Sequence, residues 1–243
     1  MKPLRVVCFD LDATLVHIRR DEYQRLVDTV YDALVAKHPG LDKAELHRVN
    51  TKLGQGWRAW DENIPAGASG LALMRSGWAE CLAACGCDEP ELGDFAFELY
   101  WELSHAPPYV FWPFEDAIAL LESLRGRYRL AVITNGPRDT QVDKLQVCGL
   151  EPYFDVIVAS GDLGAPKPSV AIFEHTLRLL GTSPDEALHV GDHLSADVAG
   201  ARAAGLRAVW LNRDGATRRE GDAVPDVEIT SLAELGALIG SAR

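Results

Sequence analysis

The sequence predicts an α/β protein built on a Rossmann-like parallel sheet with helices on both faces. Short, almost continuously apolar runs recur along the chain, as in strands that are buried on both faces of a parallel sheet. From residue 113 onward these runs alternate with helical patterns, which favours right-handed crossover connections. A chain of 243 residues with 47% hydrophobic composition can form one such core and a modest second domain.

The predicted strands and helices of the core follow one another in a regular order. Helices are expected where an apolar periodic pattern ends at a glycine in the C-terminal cap position. The patterns with such glycines occupy 115–126, 139–149 and 169–181. Strands are expected at 4–9, 129–134, 155–160, 187–191 and 207–212, with a weaker one at 227–230.

A long helical segment interrupts this core after its first strand. About a hundred residues separate the first strand from the second, whereas a crossover between parallel strands needs only about a dozen. Residues 21–38 carry apolar side chains three and four positions apart. Further helical patterns occupy 42–54, 69–86 and 91–104. We therefore predict a small all-helical domain over 16–108, inserted into a core that consists of 1–15 and 109–243.

Composition argues against several classes of function. The net charge of −12 disfavours a nucleic-acid or anionic-membrane surface, since both need clustered lysine and arginine. The chain has no run of about 18 apolar residues, and its first residues show no signal-peptide pattern. Cys8 lies inside an apolar run and the cysteine count of 5 is odd, so we expect reduced thiols and a cytoplasmic protein. We expect no membrane or nucleic-acid partner, and a monomer or homodimer.

The cysteines do not predict a metal site. Cys81, Cys85 and Cys87 stand close together, but their spacing matches no common zinc-binding pair and no second pair follows. We therefore expect these thiols to carry no metal.

Polar residues follow each of the first four predicted strands of the core. In chain order they are Asp10 and Asp12 after the first strand, Thr134 and Asn135 after the second, Lys167 after the third, and Asp192 and Asp197 after the fourth. Ligands of open parallel sheets bind at the carboxyl ends of the strands. We therefore expect these side chains to converge at one edge of the sheet.

Such a set of residues permits phosphoryl transfer through an aspartyl phosphate, with Asp10 as the nucleophile. A carboxylate that attacks a phosphate dianion meets charge repulsion, so a hard cation is needed, and Mg²⁺ suits carboxylate and phosphate oxygens. Asp192 is the natural second carboxylate ligand. Lys167 would offset the remaining negative charge, and Thr134 would donate hydrogen bonds to the phosphoryl oxygens.

Asp12 is the candidate for proton transfer, because an extended backbone points its side chain the same way as that of Asp10. It could protonate the leaving alcohol and later activate water. Taken alone, Asp12 is as well explained as a turn residue. In the segment after the fourth strand, Ser195 is interpreted as a helix N-cap, Asp197 as an acid of the first turn, and His193 as a loop residue.

At these residues the sequence resembles the haloacid dehalogenase superfamily, and the match spans almost the whole chain. The segments "DLDAT", "VITNG", "PKP" and "GDHLSAD" resemble its four motifs in order. The resemblance implies that Asp10 is the nucleophile and Asp12 the acid/base. It also implies a Mg²⁺ site formed by Asp10, Asp192 and the backbone carbonyl of Asp12, with Thr134 and Asn135 at the phosphate. Asp197 would support Lys167 or the metal shell.

Several activities occur within this superfamily, and Asp12 bears on the choice. Dehalogenases displace a halide and lack an aspartate at this position, whereas phosphatases protonate an alkoxide and keep it. We therefore expect a phosphatase that acts on a small phosphorylated metabolite. A 2-haloacid dehalogenase or a phosphomutase remains an alternative. A non-enzymatic phospho-receiver module is a remote one, since receivers are about half this length.

Two further expectations concern the helical insertion and the loop after Asp12. The insertion is similar to the family's helical cap, which closes over the site and selects the substrate. Trp57 and Arg58 lie in a segment, 54–69, that breaks the helical pattern, so they are candidates for substrate contact. The alternative is that Trp57 packs the cap against the core, as large aromatic side chains mostly do. Ala13 stands where the family often has glycine, and we expect it to keep a negative φ.

Overall fold

The computed structural model describes the backbone of residues 2–61 and 64–240 and the side chains of 2–54 and 64–239. Its centre is a six-stranded parallel sheet whose strands are β1 (Val6–Phe9), β4 (Arg129–Thr134), β5 (Val156–Ala159), β6 (Ala187–Gly191), β7 (Arg207–Leu211) and β8 (Val227–Ile229). Their order across the sheet is β5-β4-β1-β6-β7-β8. The α/β fold and the strands expected from the sequence are therefore confirmed.

Strand β1 lies in the middle of the sheet, and this position explains its continuous apolar run. It pairs in parallel with β4 on one side and with β6 on the other. Val7 and Phe9 pack into the apolar cluster on one face of the sheet, whereas Val6 and Cys8 pack into the cluster on the opposite face. Both faces of β1 are thus buried, and the polar residues that follow it lie between two neighbouring strands.

Helices cover both faces of the sheet. They are α5 (Glu115–Leu124), α6 (Arg138–Val147), α7 (Ser160–Leu163), α8 (Val170–Leu180), α9 (Gly200–Ala203) and α10 (Leu232–Gly240). Helix α8 ends at Gly181, which has φ 58° and donates its N–H to Arg178 at 3.2 Å. This is the glycine cap that the sequence predicts, because the left-handed conformation carries no Cβ penalty there.

Four helical stretches of the described chain form a bundle between β1 and β4. They are α1 (Arg20–Lys37), α2 (Lys43–Asp61), α3 (Gly70–Ala84) and α4 (Pro90–Ser104). Their apolar faces enclose a cluster separate from those of the sheet. Inside it, the hydroxyl of Tyr31 accepts a hydrogen bond from Asn50 at 2.7 Å. The expectation that the helical pattern breaks at residue 54 was wrong, because α2 runs on to Asp61. A helix tolerates glycines such as Gly54 at a cost of about 1 kcal/mol each.

A short antiparallel ribbon joins the bundle to the core. Its strands are β2 (Val16–Ile18) and β3 (Phe111–Pro113), with Val16 opposite Pro113 and Ile18 opposite Phe111. Three-residue strands are too short to show an alternating pattern, so the sequence did not predict them. The ribbon brings both crossings between core and bundle side by side. Within the described residues, no helix is long and apolar enough to cross a membrane.

Candidate active site

The carboxylate of Asp10 lies at the carboxyl end of β1, bonded to a buried lysine. The backbone N–H of Asp10 continues the sheet by donating to the carbonyl of Val190 at 2.8 Å. Nζ of Lys167 donates to Oδ1 of Asp10 at 2.6 Å and to Oδ1 of Asp197 at 2.6 Å. The Lys167 side chain is only 2% exposed. One buried cation is therefore shared between two buried carboxylates.

Asp197 is held from several sides. Besides Lys167, its Oδ1 is bonded to Nε2 of His189 at 2.9 Å, and its Oδ2 accepts from the backbone N–H of His193 at 3.1 Å. Burial lowers the pKa of His189, so the ring is neutral and Nε2–H is the donor. A side chain at Gly191 would collide with the Asp197 carboxyl group, which explains the glycine there. Sequence reasoning missed His189, although a histidine inside a buried strand has to find a partner.

The turn that carries Asp197 begins two residues earlier than expected. Residues Leu194–Ala199 form a wide π-type helical turn, and His193 is its N-cap. Nδ1 of His193 accepts from the N–H of Ala196 at 3.2 Å. The interpretation of Ser195 as the N-cap, and of His193 as a loop residue without a partner, was therefore wrong. Ser195 already lies inside the turn, with its hydroxyl 3.1 Å from Nδ1 of His193.

Three carboxylates crowd this end of the sheet. Oxygen atoms of Asp10, Asp192 and Asp197 lie within 4.8 Å of one another. Burial raises the pKa of Asp10 to about 8 and that of Asp192 to about 6. Burial would also raise the pKa of Asp197, but Lys167 and His189 hold it below its usual value. One lysine does not neutralise three carboxylates, and oxygen ligands at this spacing fit a hard divalent cation.

Asp12 lies in a different environment from Asp10. Its side chain is 45% exposed, and both of its oxygens accept from Nζ of Lys144, at 2.9 and 2.7 Å. Lys144 belongs to α6, where Nζ also lies 3.3 Å from Oε1 of Gln141. Sequence reasoning did not single out Lys144, because its surroundings read as an ordinary polar helix surface. The two aspartates therefore share an edge of the sheet but have different cationic partners.

Ala13 adopts the left-handed conformation, with φ 60°. The expectation of a negative φ was wrong. The tight turn after Asp12 imposes this conformation, because Ala13 N–H donates to Val16 at 2.8 Å and Leu15 N–H donates to Leu11 at 2.9 Å. This conformation costs an alanine about 1 kcal/mol, whereas glycine adopts it freely.

The residues at the end of β4 hold the loop that contains Lys167 in place. The side chain of Thr134 is buried, and its hydroxyl lies 3.4 Å from the carbonyl of Asn135. Oδ1 of Asn135 accepts from the backbone N–H of Lys167 at 2.8 Å, and its Nδ2 donates to the Lys167 carbonyl at 3.1 Å. Asn135 thus fixes the backbone that presents Lys167. The resemblance places Asn135 at the phosphate, and this stays a prediction. The Lys167 carbonyl accepts one hydrogen of the Nδ2 amide group, which carries two.

The bundle contacts the core beside this edge. Asp139, near the start of α6, accepts hydrogen bonds from Oγ of Ser69 at 2.6 Å and from the backbone N–H of Gly70 at 2.9 Å, at the first turn of α3. Nε2 of His105 lies 2.9 Å from Oδ1 of Asp143 on the same core helix. The side chains of Trp57 and Arg58 lie outside the described residues.

Comparison with known proteins shows the family of the chain. A model of haloacid dehalogenase-like hydrolases matches residues 4–205. N-acylneuraminate-9-phosphatase of Rattus norvegicus is 31% identical, and the match covers 98% of this chain and 94% of that protein. The chain belongs to the haloacid dehalogenase-like hydrolase family.

Solved structures of haloacid dehalogenase-like proteins share the fold over almost the full chain. A phosphatase from Thermococcus onnurineus has a TM-score of 0.72 and 33% identity, and the match covers 99% of this chain and 100% of that one. A 2-haloacid dehalogenase from Pseudomonas syringae pv. Tomato DC3000 has a TM-score of 0.71 and 30% identity, with 98% of each chain covered. The fold is thus common to both chemistries, and the residues around Asp10 have to separate them.

Proposed function

We propose that the protein is a Mg²⁺-dependent phosphatase that hydrolyses a small phosphorylated metabolite through an aspartyl phosphate. The observation that carries this proposal is the pair of aspartates at one edge of the sheet. Asp10 is buried against Lys167, whereas Asp12 is half-exposed and bonded to Lys144. A buried, fixed carboxylate suits a nucleophile, and a more accessible one suits proton transfer to and from a leaving group.

One oxygen of Asp10 is free to attack. Oδ1 is bonded to Lys167, whereas Oδ2 accepts no hydrogen bond from the described residues. In the first step Oδ2 would bond to phosphorus while the bond from phosphorus to the leaving oxygen breaks. Asp10 must be ionised for this step, although burial raises its pKa to about 8. Bound Mg²⁺ would supply the positive charge that keeps Asp10 ionised and screens the phosphate.

Among the clustered carboxylates, Asp10 and Asp192 are the better candidates to hold the cation, together with the backbone carbonyl of Asp12. Asp197 is already occupied by Lys167 and His189. Its contribution would be to fix the ammonium of Lys167, which offsets charge on the transferring phosphoryl group. Thr134 is buried beside Asn135, which holds the backbone of Lys167. Its hydroxyl would donate a hydrogen bond to a phosphoryl oxygen.

Asp12 would move the protons of both half-reactions. Protonated Asp12 gives its proton to the leaving alkoxide, and the carboxylate then takes a proton from the water that attacks phosphorus of the aspartyl phosphate. Phosphate leaves and Asp10 is restored. The hydrogen bonds from Lys144 hold the Asp12 side chain at this edge of the sheet, where it stays half-exposed and accessible to water.

We infer that residues 16–108 act as a cap over this edge, hinged at the β2–β3 ribbon. The contacts of Ser69 and Gly70 with Asp139 support this inference, since they attach the bundle beside the site. Trp57 and Arg58 remain candidates for contact with the leaving group. Phosphorylated sugar acids belong first in a substrate panel, because the rat relative is an N-acylneuraminate-9-phosphatase.

The test is hydrolysis of p-nitrophenyl phosphate with and without Mg²⁺. We expect Mg²⁺-dependent release of phosphate by the wild type and loss of release in Asp10→Asn. Asp185→Asn, a change of the same chemistry at an exposed position, serves as the control. Hydrolysis without a divalent cation, or full activity of Asp10→Asn, would refute the mechanism.

A 2-haloacid dehalogenase is the second candidate, favoured by the structural match to the Pseudomonas syringae enzyme. In that reaction Asp10 would displace halide from carbon, and no leaving group would need a proton. Halide release from a 2-haloacid, in the absence of phosphatase activity, would establish it. A phosphomutase would instead return the phosphoryl group to its substrate without net release of phosphate.

A further inference from the structure

A second group of metal-binding side chains lies in the helical bundle. His38 follows the C-terminus of α1, and Cys87 and Glu89 lie between α3 and α4. One ligand atom from each residue lies within 4.8 Å of the other two. None of the three follows a strand of the sheet, so this group is separate from the carboxylates around Asp10.

The backbone holds these three residues in place. The N–H of His38 donates to Leu34 at 2.9 Å, at the end of α1. The N–H of Cys87 donates to Leu82 at 2.9 Å, beyond the end of α3. Glu89 is the N-cap residue of α4. The side chains therefore extend from the ends of packed helices, and little ordering is needed to bring them onto one ion.

The imidazole of His38 makes no strong hydrogen bond with the described residues. Nδ1 is buried without a hydrogen-bond partner. Nε2 lies 3.5 Å from Oε1 of Glu89, which is long for a hydrogen bond. Nitrogen and oxygen ligands about 2.0–2.1 Å from a tetrahedral zinc ion lie about 3.3–3.4 Å apart. The spacing of His38 and Glu89 thus suits two ligands of one ion better than a hydrogen-bonded pair.

Cys87 determines which class of metal would fit. Its side chain is buried, and it forms no disulfide. A thiolate with an imidazole and a carboxylate suits borderline ions such as Zn²⁺, whereas Mg²⁺ prefers oxygen ligands alone. His38 and Glu89 are partly exposed, so an ion can reach the site and water can occupy a fourth position.

We propose that His38, Cys87 and Glu89 form a binding site for a divalent transition metal of the zinc class. Binding replaces the thiol proton of Cys87, which is released to solvent, by a sulfur–metal bond. The ion connects the end of α1 with the start of α4 and so stabilises the bundle. This proposal is independent of the reaction at Asp10.

Titration with Co²⁺ tests the site, because a cobalt–thiolate bond gives a charge-transfer band in the near ultraviolet that carboxylate ligands do not give. We expect the band to saturate at one equivalent in the wild type and to be absent in Cys87→Ser. Cys85→Ser is the matched control, since Cys85 lies two residues away outside the cluster. Asp10→Asn should also keep the band. Absence of the band in the wild type, or its persistence in Cys87→Ser, would overturn the proposal.

A second readout uses Zn²⁺ and the exposed ligand. We expect Glu89→Gln to weaken Zn²⁺ binding about tenfold or more, a loss typical of disturbed metal sites. Zn²⁺ should raise the melting temperature of the wild type and of Cys85→Ser but not that of Cys87→Ser. Unchanged phosphatase activity in both cluster variants shows that they are folded. An equal shift in melting temperature for all variants would contradict the assignment.

Discussion

An ion pair of the α/β core and an ion pair of the helical bundle differ in how deeply their charges are buried. In the core, the side chains of Lys167 and Asp197 are each 2% exposed and form an ion pair. In the bundle, Lys43 and Asp32 form a pair whose side chains are 39% and 68% exposed. Burying charges is unfavourable unless they are paired, and an apolar replacement is often no less stable. We infer that the core retains this buried pair for the chemistry proposed at Asp10, whereas the exposed pair belongs to the surface of the bundle.

The largest effect is expected at the nucleophile. Asp10→Asn removes the attacking oxygen, so we expect phosphatase activity to fall by about 10³-fold or more, as for other covalent nucleophiles. Steady-state kinetics with an aryl phosphate will measure the loss. Asp94→Asn, an exposed aspartate of the bundle, should stay near wild type. Similar losses in both variants would abolish the distinction between the two regions.

The next effect concerns the buried cation of the core. Lys167→Met leaves the carboxylates of Asp10 and Asp197 without their shared partner, and we expect a loss of about 3 kcal/mol in the free energy of unfolding. Urea denaturation will measure it. Lys43→Met removes the exposed counterpart in the bundle, where we expect a much smaller change, because exposed ion pairs contribute little to stability. Equal changes would show that burial does not set the contribution of these charges.

The effect of Asp12→Asn should depend on the leaving group. An alkyl phosphate needs a proton on its leaving oxygen, so we expect a loss of about 10²–10⁴-fold in kcat. A p-nitrophenyl leaving group is weakly basic and needs less assistance, so its loss should be smaller. Measuring kcat of the wild type and of Asp12→Asn with both substrates gives the loss for each leaving group. Equal losses for both would argue against Asp12 as the general acid.

A smaller effect is expected where core and bundle meet. Burial would raise the pKa of Asp139, but hydrogen bonds from Ser69, Gly70 and neighbouring amides hold it below its usual value. The contact should therefore contribute stability at neutral pH and lose it as the pH falls through the lowered pKa. Asp139→Asn removes the charge, and we expect about tenfold faster hydrogen exchange at Gly70, near the cost of about 1 kcal/mol for a lost helix cap. Unchanged protection would mean that the bundle is attached elsewhere.

The smallest effect is expected in the turn after Asp12. Ala13→Gly relieves the left-handed conformation at φ 60°, but the flexible unfolded chain offsets part of the gain. We expect a net stabilisation of about 0.5 kcal/mol. Urea denaturation of both proteins measures it. A clear destabilisation would mean that the methyl group of Ala13 makes a contact that outweighs its backbone strain.

The fold could be predicted from the sequence where burial leaves a recognisable run or period of apolar residues. Strand β1 is buried on both faces and reads as one apolar run, and Gly181 marks the end of α8. The β2–β3 ribbon left no pattern, because each strand has three residues. The π-type turn after His193 also escaped prediction, since its hydrogen bonds depend on how Asp197 packs under it.

Some residues of the candidate site could be identified from the sequence, and others could not. The residues that follow strands were identifiable, because the ends of parallel strands meet at one edge. Lys144 was not, since its contact with Asp12 joins positions 132 residues apart and each position alone looks ordinary. The sequence predicted no metal at Cys87, and the proposed site in the bundle could not be recognised from it, because only folding brings His38 close to Cys87.

The central claim is that phosphate passes through Asp10. Mixing enzyme with substrate and Mg²⁺, quenching with acid within one turnover and reducing with borohydride converts an aspartyl phosphate into homoserine. Mass spectrometry of the peptide that contains residue 10 then reads the modification. We predict homoserine at position 10 and not at position 12, and only when substrate is present. Turnover without any modification of Asp10 at any quench time would contradict the account.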